Sequence, residues 1–345
     1  CWIAGAQDSP ILQAVVREGM ATADGLHLTQ LRPWNWVQTI ARMRAFLVAR
    51  GVDVVFVHTG SGHLEMHLAR RGLPTGLVRV RADARHPRAD PGHRWLYRNG
   101  ADRIVASGAY MLSQHLKGWD LAPERLLHLP PGIDLHAIEE EPALKPSRAR
   151  SAIRKRYGLP PDTPLIGIIG RLSPVKGHEI LIRACRILVQ QGYDFRLLVV
   201  GAQKEIPAKT LRHLAGSLGM EDHLVLTGFV EDPLVHAAAL DIGVIPSLGS
   251  EAVSRSALEY MAVGVPVVAS RVGVLPELID QEECLVPQGE PESLAAALSL
   301  LLHDPETARE WGWMGRERVR SNYSMGLFGE RAERVAVEAR ARRRF

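Results

Sequence analysis

The chain has few cysteines and no long hydrophobic run, and both absences narrow the classes of protein to which it can belong. Three cysteines occur in 345 residues, and Cys1, Cys185 and Cys284 lie far apart. This spacing argues against a disulfide framework and favours reduced thiols in a cytoplasmic setting. No apolar stretch approaches the roughly 20 residues that a helix needs to cross a bilayer. We therefore expect no membrane-spanning helix.

Motifs for metals and for the common phosphate loops are also missing. No two aspartates have the D-x-D spacing, so a divalent cation bridging a diphosphate is not indicated. No segment fits the Walker loop, and no G-x-G-x-x-G follows either leading strand. We expect neither a bound metal nor a resident cofactor.

Composition and charge describe a soluble globular protein with a basic surface. Hydrophobic residues make up 46% of the chain, charged residues make up 23%, and the formal net charge is +4. The length favours two domains. Arginines cluster at Arg79, Arg81, Arg85, Arg88, Arg94 and Arg98. They form either a solvated face or the binding surface of an acidic or phosphorylated acceptor, while nucleic acid is disfavoured because no recognition module accompanies them.

Short apolar runs alternate with helical patterns along most of the chain. In the first half the clearest helices are predicted over Trp36 to Arg50 and Tyr110 to Lys117. A second alternating set begins at LIGIIG (Leu165 to Gly170). Alternation of this kind is typical of doubly wound parallel sheets. We predict Rossmann-like domains over 1–142 and 143–322, facing each other across a cleft, and a C-terminal helix over 323–345.

That C-terminal helix ends in a run of arginines, and the run has two interpretations. It is either a fraying surface segment or a contact with the inner face of a membrane, to which polybasic segments are attracted. The second interpretation adds a peripheral membrane contact to the predicted cytoplasmic location.

Parallel sheets bind ligands where their strands end, and GRLSPVKG follows the strand LIGIIG directly. Arg171 and Lys176 lie in this turn, close to Gly170. An arginine and a lysine five residues apart can converge on one diphosphate. The alternative is that both are exposed basic residues of an ordinary loop.

The stretch from Asp241 to Glu277 is predicted to form strand, small-residue loop, helix, strand and turn. The loop leads into a helix near Ser254, whose free N–H groups suit an anionic phosphate. Glu251 precedes this junction and Glu259 follows it by five residues, so both can accept hydrogen bonds from hydroxyls on either side of a phosphate. The alternative is that both glutamates are surface acids.

These motifs, with TGFVED, LEYMAVGVPVVAS and GVLPEL, resemble the retaining GT-B glycosyltransferases of family four, especially members that build lipopolysaccharide core or other cell-surface glycans. The resemblance covers Leu165 to about Leu302. It implies that Arg171 and Lys176 neutralise the donor phosphates, that Glu251 holds the sugar and that Glu259 holds the ribose. Other implied donor contacts are the backbones near Gly170, Val253 and Ser254 and, for the base, Gly228 and Phe229.

The first half resembles the family more loosely. His58 matches a family histidine position. Where many family members have a histidine that faces the anomeric centre, this chain has the RVRAD stretch, so Arg81 and Asp83 are the nearest candidates for that role on the acceptor side. Cys1 to Gly5 matches the second strand of the family, and this sequence shows no counterpart of the family's first strand and glycine-rich loop. Either the sequence is a fragment, or the protein lacks that part.

The resemblance implies transfer of a sugar from a nucleotide-sugar to a hydroxyl acceptor, with retention of anomeric configuration and without a metal. Two alternatives remain on the same scaffold. One is a nucleotide-sugar epimerase or a phosphorylase, and the other is a catalytically silent protein that binds sugar nucleotides or polyanions.

Overall fold

The structure is a computed structural model, and it describes every residue except 6–8, 24–25, 27–35, 83–85, 250 and 344–345. Two candidates of the sequence analysis, Asp83 and Arg85, lie outside the described residues.

The first half of the chain forms a parallel sheet flanked by helices, with strand order β1-β2-β3-β4. Its elements, in chain order, are α1 (Pro10–Arg17), α2 (Trp36–Ala49), β1 (Val54–Val57), α3 (Gly60–Ala69), β2 (Gly76–Arg81), α4 (Pro91–Asn99), β3 (Arg103–Ala106), α5 (Ala109–His115) and β4 (Leu126–His128).

The second half forms a larger parallel sheet with strand order β10-β9-β8-β5-β6-β7. Its elements begin with α6 (Leu135–Glu140), α7 (Pro146–Tyr157), β5 (Leu165–Ile169), α8 (His178–Gln190), β6 (Arg196–Val200), α9 (Ala208–Ser217), β7 (Leu224–Gly228) and α10 (Pro233–Ala238). They continue with β8 (Ile242–Ile245), α11 (Arg255–Ala262), β9 (Val267–Ser270), α12 (Leu275–Leu278), β10 (Leu285–Val286), α13 (Pro291–His303), α14 (Pro305–Asn322) and α15 (Met325–Arg343).

The core strands are apolar on both faces, which is why their sequences show no polar alternation. All four residues of β8 and all four of β9 are buried. In a parallel sheet, crossover helices cover both faces, so a continuous apolar run is the stable choice. The structure confirms the predicted fold class, two parallel-sheet domains of the Rossmann-like type.

The C-terminal helix α15 returns to the first domain and covers one face of its sheet. Phe328, Ala332, Val335 and Ala339 pack with Val78 and Val105 of the sheet. Arg340 pairs with Asp53 at 2.9 Å, so part of the terminal charge is paired within the chain. The apolar side of the described part of this helix therefore contributes to the core of the first domain, while Arg340 and Arg342 of the terminal run are exposed.

The strand predicted at Cys1 to Gly5 is reduced to one isolated parallel bridge between Ile3 and Thr22. Ile3 donates to the Ala21 carbonyl, and its own carbonyl accepts from the Ala23 N–H. One bridge fixes a single residue pair and does not extend the described sheet. No helix in the described ranges combines the length and the hydrophobicity needed to span a membrane.

Candidate donor and acceptor sites

The order of the second sheet brings two distant loops together. Strands β5 and β8 are neighbours, so the turn after β5 and the loop after β8 emerge side by side. Leu248 donates its N–H to the Val175 carbonyl at 2.8 Å, which joins the two loops directly. The predicted site residues of the GRLSPVKG turn and of the Glu251 loop therefore share one edge of the sheet.

A glycine makes this close approach feasible. Gly177 has φ of +70°, and a Cβ at this position would lie 1.8 Å from the Pro246 carbonyl oxygen. Only glycine combines this left-handed backbone with the absence of a side chain. Gly177 also ends the short 3₁₀ turn Pro174–Lys176 and precedes α8, so it orients Lys176.

Lys176 and Glu251 meet at the centre of the site. The Lys176 Nζ lies 2.6 Å from Oε1 of Glu251, and the Ser247 hydroxyl donates to the same oxygen at 2.6 Å. The Glu251 side chain is only 4% exposed, whereas that of Lys176 is 25% exposed. A buried carboxylate is tolerable because it is paired and hydrogen-bonded. The Lys176 side chain is therefore partly accessible to solvent.

The other predicted donor-site residues surround this pair. Arg171 is exposed in the same turn and makes no ion pair within the described residues. Ser254 has a left-handed backbone (φ of +44°), and its buried hydroxyl has no hydrogen-bond partner among the described residues. It precedes α11, whose first N–H groups have no intrahelical acceptor. Val253, beside it, is half-buried.

Glu259 lies one turn into α11, where Nε of Arg255 donates to its carboxylate at 2.8 Å. The next residue, Tyr260, is fully buried and accepts a hydrogen bond from the Ile169 N–H at 2.7 Å, which ties α11 to the end of β5. Burial raises the pKa of Tyr260, so its hydroxyl stays protonated.

At the neighbouring strand end, Gly228 closes β7 and its carbonyl accepts from the Gly201 N–H at 3.0 Å. Phe229 follows and is 76% exposed, which leaves a free aromatic face. Gly170, in turn, donates to the Val200 carbonyl at 2.8 Å and lies 4.0 Å from the Lys176 stem at its Cβ position. The ends of β5, β6 and β7 thus form one continuous rim.

The acceptor-side candidates lie in the first domain, beside a cationic cavity of about 290 Å³. Arg79, Arg81, Arg88, His63, His86 and His93 line it together with Gly60, Pro87, Leu96 and Tyr97. Arg81 is 7% exposed, and its guanidinium donates to the Tyr97 hydroxyl at 3.4 Å. No carboxylate lines the cavity among the described residues, so it suits an anion.

Two histidines near this cavity are kept neutral. The pKa of His63 is lowered to about 3, mainly by burial and secondly by the positive charge of Arg79. His58 lies at the surface near β1, and partial desolvation followed by Arg79 lowers its pKa as well. No contact joins His58 or Arg81 to Lys176 or Glu251 within the described ranges. The structure therefore groups the site residues into two sets, one in each domain.

Two side chains near these sites, Ser247 and Glu277, make contacts that were not anticipated from the sequence. Ser247 supports Glu251, and its position in an apolar strand end gave no signal. Glu277 accepts hydrogen bonds from the backbone of Ala109 and Tyr110 in the other domain. The GVLPE motif contributes to the family resemblance, and the turn at Gly273, four residues before Glu277, is the local signal that could have singled out this glutamate.

Two Rossmann-like parallel-sheet domains of this kind match the GT-B fold of solved glycosyltransferase structures. Residues 149–318, just under half of the chain, match the family model of glycosyl transferases group 1. A solved glycosyltransferase from Rickettsia africae superposes on 98% of this chain and 89% of its own, with a TM-score of 0.86 and 16% identity, and shows the shared fold.

Among curated proteins, the chain is similar to GDP-mannose-dependent alpha-(1-6)-phosphatidylinositol monomannoside mannosyltransferase of Mycolicibacterium smegmatis. The two are 33% identical over 71% of this chain and 64% of that protein. It is also similar to D-inositol 3-phosphate glycosyltransferase of Saccharomonospora viridis, with 34% identity over 60% of this chain and 48% of that protein. The chain thus spans about half to two thirds of the length of these relatives.

Proposed function

We propose that this protein is a glycosyltransferase that moves a sugar from a nucleotide-sugar to a hydroxyl of a phosphorylated glycan or glycolipid. The observation that carries the proposal is the contact of Lys176 with Glu251 at 2.6 Å, at the strand ends of the segment that matches the model of glycosyl transferases group 1. In a nucleotide-sugar the phosphate is adjacent to the sugar hydroxyls, so a cation can bind the phosphate while a neighbouring carboxylate accepts from a hydroxyl.

The donor phosphates bind between the cationic turn and the amino end of α11. Arg171 and Lys176 supply charge from one side, and the N–H groups near Val253 and Ser254 supply it from the other. The unpartnered Ser254 hydroxyl supports this placement, because a phosphate oxygen would satisfy it. Glu251 binds a sugar hydroxyl, Glu259 binds the ribose, and the base lies against Gly228 and Phe229.

These groups stabilise the leaving nucleoside diphosphate without a divalent cation. Charge on the diphosphate grows as the glycosidic bond breaks, and preorganised cations and N–H dipoles lower the free energy of that state. A donor phosphate oxygen accepts the proton of the attacking acceptor hydroxyl, and the new bond forms on the face from which the diphosphate departs. The anomeric configuration is therefore retained.

The acceptor carries a phosphate, which binds in the cationic cavity of the first domain. Arginine is suited to this task because its planar guanidinium matches phosphate oxygens. Arg81 and Arg88 line that cavity. The names of both curated relatives contain a phosphorylated inositol, which supports this acceptor class. Lipopolysaccharide core and related cell-surface glycolipids belong to the same chemical class.

A cytoplasmic protein at the inner face of a membrane fits such an acceptor. The donor is a soluble nucleotide-sugar, the cysteines are unpaired, and the acceptor of the Mycolicibacterium relative is a lipid by its name. Peripheral contact then needs only the modest attraction of basic residues to anionic lipid, about 1 kcal/mol for each.

The donor half of the proposal is tested by thermal shift with UDP, GDP and ADP. At a hundredfold excess over Kd, a ligand that binds only the folded state adds about 2.7 kcal/mol of stability. We expect one of the three nucleotides to raise Tm in the wild type and to give a much smaller rise in Lys176→Ala. The variant Lys209→Ala, at an exposed position of α9, should respond as the wild type does. A full shift in Lys176→Ala would refute the assignment.

The reaction itself is tested by nucleotide release and by NMR of the product. Release that depends on an acceptor supports transfer, whereas consumption without one indicates an epimerase, and binding without consumption indicates a silent protein. The product anomer should match the donor, and an inverted anomer would overturn retention. The acceptor phosphate is tested by comparing inositol phosphate with inositol. Arg88→Gln should remove the preference, and Arg42→Gln, on the exposed face of α2, should leave it intact.

A further inference from the structure

We propose that Glu277 is a positioning residue that clamps the two domains together and thereby fixes the loop that carries Glu251. The proposal rests on the function proposed above only for its effect on turnover. Its structural consequences are measurable without any substrate.

The clamp begins with an incomplete helix end in the first domain. Helix α5 starts at Ala109, and its cap residue is Gly108, which offers no side chain to the free N–H groups. The carboxylate of Glu277 fills this gap from the second domain. Its Oε2 accepts from the Ala109 N–H at 2.8 Å, and its Oε1 accepts from the Tyr110 N–H at 2.7 Å. Both oxygens of one side chain therefore cap a helix 167 residues away in sequence.

The two domains approach each other closely at residue 108. A Cβ on Gly108 would lie 3.2 Å from Oε1 of Glu277 and 3.3 Å from the Val274 Cβ. On the second-domain side, Glu277 is held by its own backbone. Its carbonyl accepts from Nη2 of Arg318 at 2.8 Å and from the Tyr323 hydroxyl at 3.3 Å. The carboxylate is thus presented by a braced segment.

A second hydrogen bond connects this contact to the donor site. Ser107, the residue before Gly108, is buried, and its hydroxyl donates to the Ala252 carbonyl at 2.5 Å. The preceding carbonyl, that of Glu251, accepts from the Val274 N–H at 2.9 Å. The Glu251–Ala252 segment is therefore held by the first domain through Ser107 and by the second domain through Val274.

Apolar side chains also pack against each other where the two domains meet. Ala106 and Met111 of the first domain pack with Ala252, and Leu112 and Val253 flank them. Packing of this kind is not directional and permits sliding, whereas a bidentate carboxylate defines an orientation. The clamp therefore sets the angle between the domains, and with it the position of Glu251 relative to the acceptor cavity.

The test compares Glu277→Gln with Glu282→Gln. Glutamine replaces one carboxylate oxygen with an NH₂ group, which cannot accept from a backbone N–H. Glu282 is exposed in the turn that follows and pairs only with Arg271 among the described residues, so its variant controls for loss of charge. Small-angle scattering of the nucleotide-free protein should give a larger radius of gyration for Glu277→Gln than for the wild type or the control.

Two further measurements separate positioning from general stability. Hydrogen exchange of the Ala109 and Tyr110 amides should accelerate in Glu277→Gln, while the amides of β8 keep their protection. Turnover should fall about tenfold to a hundredfold, the value of a charged hydrogen bond, with nucleotide Kd changed less than threefold. Ser107→Ala should shift turnover in the same direction by a smaller factor.

The outcomes are decisive in either direction. An unchanged radius and unchanged amide exchange in Glu277→Gln would overturn the clamp, whatever the protein catalyses. Equal losses of protection throughout the second domain would also overturn it, because they would reduce Glu277 to a stabilising residue. A larger radius in a protein that shows no transferase activity would support the clamp and contradict the proposed function alone.

Discussion

Replacing Lys176 by alanine separates the two roles that the structure gives this side chain. Lys176 neutralises the buried carboxylate of Glu251, and in our proposal it also binds donor phosphate. Removing one partner of a buried ion pair typically costs about 3–5 kcal/mol. We expect a value near the lower end, about 3 kcal/mol, because the Lys176 side chain keeps 25% of its exposure.

A double variant isolates the ligand contribution. In Lys176→Ala with Glu251→Gln, the buried side chain is neutral and still accepts from Ser247, so about 2 kcal/mol of the lost stability should return. Urea unfolding of the wild type, both single variants and the double variant measures this coupling. Nucleotide affinity, measured by calorimetry, should remain about 10–100-fold weaker in the double variant, because the phosphate has lost a charged donor.

The reasoning would be refuted if the double variant recovered both its unfolding free energy and its nucleotide affinity. If the double variant regained wild-type nucleotide affinity, Lys176 would serve only to neutralise Glu251. If Lys176→Ala unfolded at the same urea concentration as the wild type, the ion pair itself would contribute nothing. The exposed control Lys209→Ala should change neither measurement.

Two further predictions concern pH and backbone geometry. His178 is buried at the start of α8, and burial lowers its pKa from 6.5 to about 4, so the unfolded state takes up a proton between these pH values and the folded state does not. The free energy of unfolding should therefore fall as the pH decreases from about 6.5, with a contribution from His178 of about 2 kcal/mol near pH 5. Urea titrations should show a shallower loss in His178→Gln, whereas a pH profile unchanged by this substitution would contradict the assignment. Gly177→Ala should abolish the nucleotide thermal shift and lower Tm, because the new Cβ would lie 1.8 Å from the Pro246 carbonyl oxygen. The control Gly192→Ala, with φ of +88° and no atom within 4 Å of the new Cβ, should cost only the backbone strain of about 1–2 kcal/mol and keep the shift. Equal effects of the two substitutions would contradict the steric argument.

Sequence alone was sufficient for the second sheet, for a physical reason. Strands β5, β6 and β8 are largely buried on both faces, so each appears as a short apolar run bounded by a turn. Ligands bind where parallel strands end, and this rule predicts a site that includes Lys176 and Glu251. The structure brings these two residues together. Their roles in binding a donor stay predictions.

The contacts between distant parts of the chain could not be predicted in this way. Glu277 lies on a short helix, where an acid is ordinarily a surface residue, and its partners are backbone N–H groups that leave no trace in the sequence. Helix α15 shows the complementary problem. Its buried side repeats at Phe328, Ala332, Val335 and Ala339, a helical spacing, but the many charges around it suggested a solvated segment.

The central claim is that a donor diphosphate is held between the cationic turn and the amino end of α11. A crystal structure with the nucleoside diphosphate that gives the largest thermal shift tests this claim most directly. We predict phosphate oxygens within hydrogen-bond distance of Lys176 Nζ and of the Ser254 backbone N–H, with the ribose at Glu259. Phosphates bound elsewhere, with the contact of Lys176 and Glu251 undisturbed and no ligand atom near it, would contradict the account.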